Sequence, residues 1–266
     1  MAWTRDEMAA IAAQGLKVVA EIQFMGFIYP ALDQIANHMA RQRNRTRGRL
    51  TCPVVMRMPH GGGIHAPEHH SESLEVLLCH HAGLRVVCPT SPARAYGLLL
   101  AAIRDPDPVI FLEPTRLYRL AKQDVLDDGV ALPLDQAHVL REGSDVTLVS
   151  WGAMIHETQR AAEQLMQEKI SCEVIDLTSL SPIDHDTILE SVAHTGRLVI
   201  VHEAPRNAGL GAEIAATVAE RALYDLLAPI QRVTGYDTVM PYFAMERAYI
   251  PSVARIVDAV RVTMKG

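Results

Sequence analysis

The sequence has no excess of positive charge, no long apolar run and no paired cysteines, and each absence removes a class of function. Lysine and arginine number 25 against 31 aspartates and glutamates, a net charge of −6. The basic footprint of a nucleic-acid-binding chain is therefore missing. The longest apolar stretch, Ala95 to Ile103, is stopped by Arg104 and falls far short of the ~18 residues of a membrane span. Arg5, Asp6 and Glu7 precede any apolar run, the reverse of a signal peptide. Cys52, Cys79, Cys88 and Cys172 form no Cys-x-x-Cys pair, which suits free thiols in a reducing, cytoplasmic compartment. There is no Gly-x-Ser-x-Gly elbow, Walker loop or Gly-x-Gly-x-x-Gly fingerprint. Gly209-Leu-Gly211 opens a helix without the third glycine and reads as a tight strand-to-helix turn.

What is present is a globular composition, 49% hydrophobic and 21% charged, in 266 residues, enough for one large domain or two ordinary ones. Leu16–Phe24, Pro53–Met58, Leu84–Cys88 and Val109–Leu112 read as strands, and Ala31–Arg43 and Pro92–Arg104 as helices. Residues 119–145 are polar, hold Asp127-Asp128-Gly129 and Pro133, and read as a linker. A second series follows, with strands at Val146–Ser150, Cys172–Asp176, Arg197–His202 and Ile230–Val233. Helices are expected at Met154–Glu168, Asp184–Val192, Ala212–Leu227 and Ser252–Met264. Strands alternating with helices predict parallel, helix-covered sheets.

Two places carry chemistry. Six of the twelve histidines lie between His60 and His81. A zinc site is one reading of the segment His60-Gly-Gly-Gly-Ile-His65-Ala-Pro-Glu-His69-His70, but Pro67 disfavours the helix that would align His65 with His69. A His-rich surface loop, or a loop lending one imidazole as acid, base or donor, are the others. The second place is Ala102-Ile-Arg-Asp105-Pro-Asp107, where helix-end carbonyls and two acids suit a hard cation or an ordinary solvated turn.

The stretches AEIQFMGFIYPALDQI, PVVMRMPHGGGIHAPEHHSES and GLRVVCPTSPARAYGLLLAAIRDPDPVIFLEPTRLYR resemble the β subunit of thiamine-diphosphate-dependent 2-oxo acid dehydrogenases. REGSDVTLVSWGAMIHE, VIDLTSLSPID and TGRLVIVHEAPRNAGLGAEIAA resemble the same subunit's C-terminal region. The resemblance implies an α/β fold of two parallel-sheet domains: a transketolase-type pyrimidine-binding domain over 1–118, the linker 119–145, and a transketolase C-terminal domain over 146–266. It implies oxidative decarboxylation of a 2-oxo acid with acyl transfer to lipoyl groups. The loop's form favours pyruvate over branched-chain 2-oxo acids or acetoin.

On this resemblance His70 matches the active-site histidine, a proton donor or orienting hydrogen bond for the acyl transfer. Gln23 and Phe27 match positions lining the aminopyrimidine pocket. Val54, Ala102, Ile103, Asp105 and Asp107 match a potassium site, with Asp107 in place of a frequent Asn. Thiamine diphosphate would be shared with an α subunit, which would carry the magnesium, in an α₂β₂ tetramer. A lipoyl acyltransferase would dock on the C-terminal domain, where Glu246 and Asp258 suit a basic partner. The family's activating glutamate, counted back from Gly15, would fall at about Met1. Glu7 is the nearest acidic substitute, and Glu21 reads as structural. The pyrimidine-binding domain is therefore expected to be N-terminally incomplete, either an active subunit completed elsewhere or a silent one that only binds partners.

Overall fold

A computed structural model describes residues 10–120 and 122–266. Met1 and Glu7 lie outside the described residues. Among the described residues ten strands form two five-stranded sheets. The first holds β1 (Val18–Glu21), β2 (Val54–His60), β3 (Arg85–Val87), β4 (Val109–Pro114) and β8 (Ser179–Ser181), in the order β1-β2-β4-β3-β8. The second holds β5 (His138–Arg141), β6 (Val146–Ser150), β7 (Cys172–Asp176), β9 (Leu198–Pro205) and β10 (Gln231–Gly235), in the order β10-β9-β6-β7-β5. All pairings are parallel except those of β8 with β3 and β5 with β7. β6, VTLVS, is buried at every position, the continuous run required of a strand covered on both faces.

The helices are set by their caps. Helix α3 (Pro92–Arg104) has Ser91 as N-cap, its hydroxyl accepting from Arg94 N–H at 3.3 Å, with Pro92 in the first turn. Helix α5 (His185–Thr195) begins on Asp184, which accepts from Thr187 N–H, and ends on Gly196 at φ +72°. Helices α4 (Met154–Gln167), α6 (Leu210–Arg221) and α8 (Val253–Thr263) complete the layers of the second half.

Three departures from the sequence reading have physical causes. Ala31–Arg43 is not one α-helix. It is a 3₁₀ turn at Tyr29–Ala31, a π-helical turn at Gln34–Met39 and a short helix α1 at Gln42–Arg45. The wide turn, closed by Ala40 N–H to Ile35 O at 3.0 Å, places the Ala40 carbonyl 2.0 Å from where a Cβ on Gly83 would stand. Within 119–145, His138–Arg141 is a strand, half-exposed because it forms the edge of the second sheet. Ser179–Ser181, too short to show a period, crosses from the second half to extend the first sheet, Val87 opposite Ser179. The halves consequently share a core in which Met58 and Leu112 pack with Trp151, Leu177 and Ile200.

Candidate active site

β2 runs buried to His60 and ends in Gly61-Gly62-Gly63, at the carboxyl end of a parallel strand, where α/β sheets place their ligands. The turn is anchored on both sides. Thr115 Oγ1 donates to the carbonyls of Gly61 at 2.8 Å and His60 at 3.3 Å. Gly61 N–H donates to Glu72 O at 3.0 Å, closing a loop that carries a 3₁₀ turn at Glu68–His70.

The structure brings His70 and Phe27 together. The His70 ring meets Phe24 at 4.7 Å and Phe27 at 5.3 Å, both edge-on, and His69 at 4.4 Å. This approach depends on Gly26, where a Cβ would lie 2.0 Å from the His69 carbonyl oxygen. His70 Nδ1 is buried without a hydrogen-bond partner, and Phe27 remains 41% exposed. Such an orphaned nitrogen beside an exposed aromatic face is available to a bound group. Gln23 lies exposed just after β1, next to Phe24 in the chain. Beyond Phe24 an open cleft of 610 Å³ is lined by Gly63, His65, Arg116, Tyr118 and Arg119. Tyr29, whose phenol donates to Glu72 Oε2 at 3.0 Å, ties the same segment to the loop, and burial and Glu72 hold its pKa up.

The residues matched to a cation site lie at the start of β2 and at and just beyond the end of helix α3. Val54 opens β2, Val54 N–H donates to Cys52 O, and Cys52 N–H donates to Pro106 O at 3.2 Å. Pro106 brings no N–H to the Ala102 carbonyl, and Asp107 N–H turns to Asp105 Oδ1 at 2.8 Å. The Ala102 and Ile103 carbonyls thus lack their usual helical donors. Lys17 Nζ donates to the Arg104 and Asp105 carbonyls at 3.1 and 2.8 Å. Arg85 pairs with Asp105 and Arg43 with Asp107. The histidine cluster does not make a zinc centre: among the described residues no group of three His, Cys, Asp or Glu is placed to hold a metal.

Several residues at the site escaped the sequence reading. Glu203, at the end of β9, accepts from Gly62 N–H and is pushed up to about 7 by burial, against the hydrogen bond and Arg116. Glu246 lies in helix α7 (Phe243–Tyr249) and accepts from Gly63 N–H at 2.7 Å and His65 N–H at 3.3 Å. Its side chain is 2% exposed, so it is not the surface acid expected to meet a partner; Asp258 is exposed and pairs with Arg261. Beneath the loop Trp151 Nε1 donates to buried Glu75 at 3.3 Å and stacks on His202 at 5.1 Å. Burial raises Glu75 and lowers both His202 and His60 to about 4. Gly209 and Gly211 make room for the His202 ring, since a Cβ on either would come within 2.8 Å of it.

Comparison with known proteins accords with this geometry. The transketolase pyrimidine-binding domain family matches residues 7–121, and the transketolase C-terminal domain family matches residues 135–256. The chain is 47% identical over 256 residues to the pyruvate dehydrogenase E1 component subunit beta of Acholeplasma laidlawii, covering 96% of this chain and 78% of that one. The same subunit of Bacillus subtilis is 44% identical, over 94% and 77% of the two chains. The mitochondrial 2-oxoisovalerate dehydrogenase subunit beta 2 of Arabidopsis thaliana is 48% identical, over 96% and 71%. Among solved structures, a split-gene transketolase described as an inactive beta4 tetramer superposes with a TM-score of 0.81 at 24% identity, over all of this chain and 83% of that one.

Proposed function

Because the chain belongs to the E1 β-subunit family of 2-oxo acid dehydrogenases, we propose that it is the β subunit of a pyruvate dehydrogenase. It would work with an α subunit in an α₂β₂ tetramer, decarboxylating pyruvate and passing the acetyl group to the lipoyl groups of an acyltransferase. The observation that carries the reading is the caged His70 with its unpartnered Nδ1 against exposed Phe27. We assign residues 1–118 to the pyrimidine-binding domain, 119–145 to the linker and 146–266 to the C-terminal domain. The cysteines are free, which supports a cytoplasmic setting; among the described residues no helix is long and apolar enough to cross a membrane.

Phe27 and Gln23 would hold the aminopyrimidine side of thiamine diphosphate, with the diphosphate and magnesium left to the α subunit. When bound, the cofactor supplies the carbon nucleophile and the electron sink for decarboxylation. Phe24 and Phe27 meet the imidazole edge-on and fix its plane. An imidazole so held is suited to deliver a proton to the lipoyl sulfur during acyl transfer.

The test is co-expression with an α subunit and assay of pyruvate-dependent reduction of an artificial acceptor. Turnover supports the proposal. Turnover with 3-methyl-2-oxobutanoate but not pyruvate favours the second reading, which the 48% identity to the 2-oxoisovalerate subunit supports. Absence of turnover with either leaves a partner-binding subunit. In the active pair, His70→Ala is expected to lower lipoyl acylation by roughly 10²–10⁴-fold while thiamine diphosphate still binds. Unchanged lipoyl acylation removes the role from His70.

The helix-end carbonyls of Ala102 and Ile103, beside Val54, Asp105 and Asp107, fit a potassium ion. Potassium chloride is then expected to raise the unfolding midpoint above that in tetramethylammonium chloride of equal ionic strength. A tenfold excess over Kd corresponds to about 1.4 kcal/mol. Equal midpoints remove the site.

A further inference from the structure

The Gly-Gly-Gly turn belongs to the first half of the chain, yet its amide groups are satisfied by acids of the second half. Gly62 N–H is bound by Glu203, and Gly63 and His65 N–H by Glu246. Both acid side chains are buried, where the local dielectric is low and a hydrogen bond is stronger than in water. Glu203 sits on an inner strand flanked by β6 and β10, and Glu246 on a helix whose Tyr249 packs in the second core. The turn has no room to shift. A Cβ on Gly62 would meet Met240 at 2.5 Å, and one on Gly63 would meet Arg116 at 2.1 Å. His65, a non-glycine residue, is held at φ +61°, a conformation that persists only where its surroundings impose it.

We propose that Glu203 and Glu246 form a latch by which the C-terminal half sets the position of the loop bearing His70, making both acids positioning residues for the acyl-transfer step. The inference deepens the E1 β-subunit reading and rests on it for its catalytic consequence, while the latch itself is a property of the free chain. The path from latch to imidazole is short. The amides held by the two acids and the Gly61–Glu72 hydrogen bond bracket the segment 61–72, so slack at Gly62 and Gly63 reaches the 3₁₀ turn Glu68–His70 directly.

The test is hydrogen exchange of the full chain, read for the peptides spanning 60–72 and for β6 as an internal reference. Glu246→Ala is expected to raise exchange at Gly63 and His65 about tenfold with β6 unchanged, as for a local rather than global opening. Glu246→Gln retains an accepting oxygen and is expected to restore exchange to within about threefold of the parent. Glu203→Ala should loosen Gly62 likewise, and should that variant fail to fold, Glu246→Ala decides alone. In the assembled pair, Glu246→Ala should lower kcat for lipoyl acylation about tenfold with KM for the 2-oxo acid unchanged. Parental exchange at 60–65 in Glu246→Ala, or a Gln variant as loose as the Ala variant, overturns the latch. A parent pair without turnover on either 2-oxo acid would instead remove the reading of an active subunit and leave the exchange result standing.

Discussion

Gly63→Ala is expected to lower stability by about 2–5 kcal/mol and to abolish activity in the assembled enzyme. Two effects combine. Gly63 lies at φ +85°, in the left-handed region where a side chain adds roughly 1 kcal/mol or more of strain. Its new Cβ would also stand 2.1 Å from Cδ and 2.7 Å from Cγ of Arg116. Those are mid-chain atoms, so the whole side chain must move, giving up its pair with Glu157. Overpacking of this kind costs roughly 1–3 kcal/mol. Two neighbouring comparisons separate the terms. Gly48 lies at φ +79° with nothing within 4 Å of its added Cβ, so Gly48→Ala reports strain alone. At Gly62 the φ is not in the left-handed region, and the atom met is the Cε end of Met240, so Gly62→Ala should fall below Gly63→Ala. Urea unfolding of the three variants orders them, and a Gly63→Ala no worse than Gly48→Ala contradicts the clash.

The same loop shows what the sequence can and cannot disclose. His70 and Phe27 can be singled out from the sequence because each lies inside a contiguous stretch that carries the family resemblance, and Gly26, next to Phe27, leaves room for the His69 backbone where the two stretches meet. Glu203 and Glu246 cannot, because they reach the glycines across 141 and 183 positions of chain. For Glu203 a signal exists: an ionisable pair, His202-Glu203, closes the apolar run of a strand buried on both faces, where a charge needs a reason. For Glu246 the pattern misleads, since helix α7 turns its acid inward and leaves Phe243 and Met245 exposed. The fold divides the same way. β6 and β7 match their apolar runs residue for residue, because burial on both faces leaves one register open to them. β8 has three residues and is a strand only because the chain crosses to β3. β5 is an exposed edge inside a polar stretch, where no face is buried enough to print a period.

The unusual burial of titratable groups makes the pH dependence of stability the second large expected effect, with opposite signs at two residues. His202 sits at about 4 in the folded chain against an ordinary 6.5. Between those values the unfolded chain holds more protons, so its contribution is fully present above pH 6.5 and is lost as pH falls toward 4. His60 behaves identically. Glu203 sits at about 7 against 4.5; here the folded chain holds more protons, and the contribution present below pH 4.5 is lost as pH rises through 7. Asp176, at about 6 beside Arg94 and Thr90, follows Glu203. At about 1.4 kcal/mol per pKa unit each group is worth roughly 3 kcal/mol, and the two histidines nearly offset the two acids. The parent profile is therefore expected to hide them, while difference profiles expose them. Glu203→Gln, which keeps an acceptor for Gly62, should gain about 3 kcal/mol relative to the parent between pH 4.5 and 8. His202→Phe, which keeps a ring for Trp151 to stack on, should lose a similar amount relative to the parent between pH 4 and 7. Denaturant midpoints at a series of pH values measure both differences. Two flat differences, or two of the same sign, would show that these side chains are not buried in the charge states assigned to them.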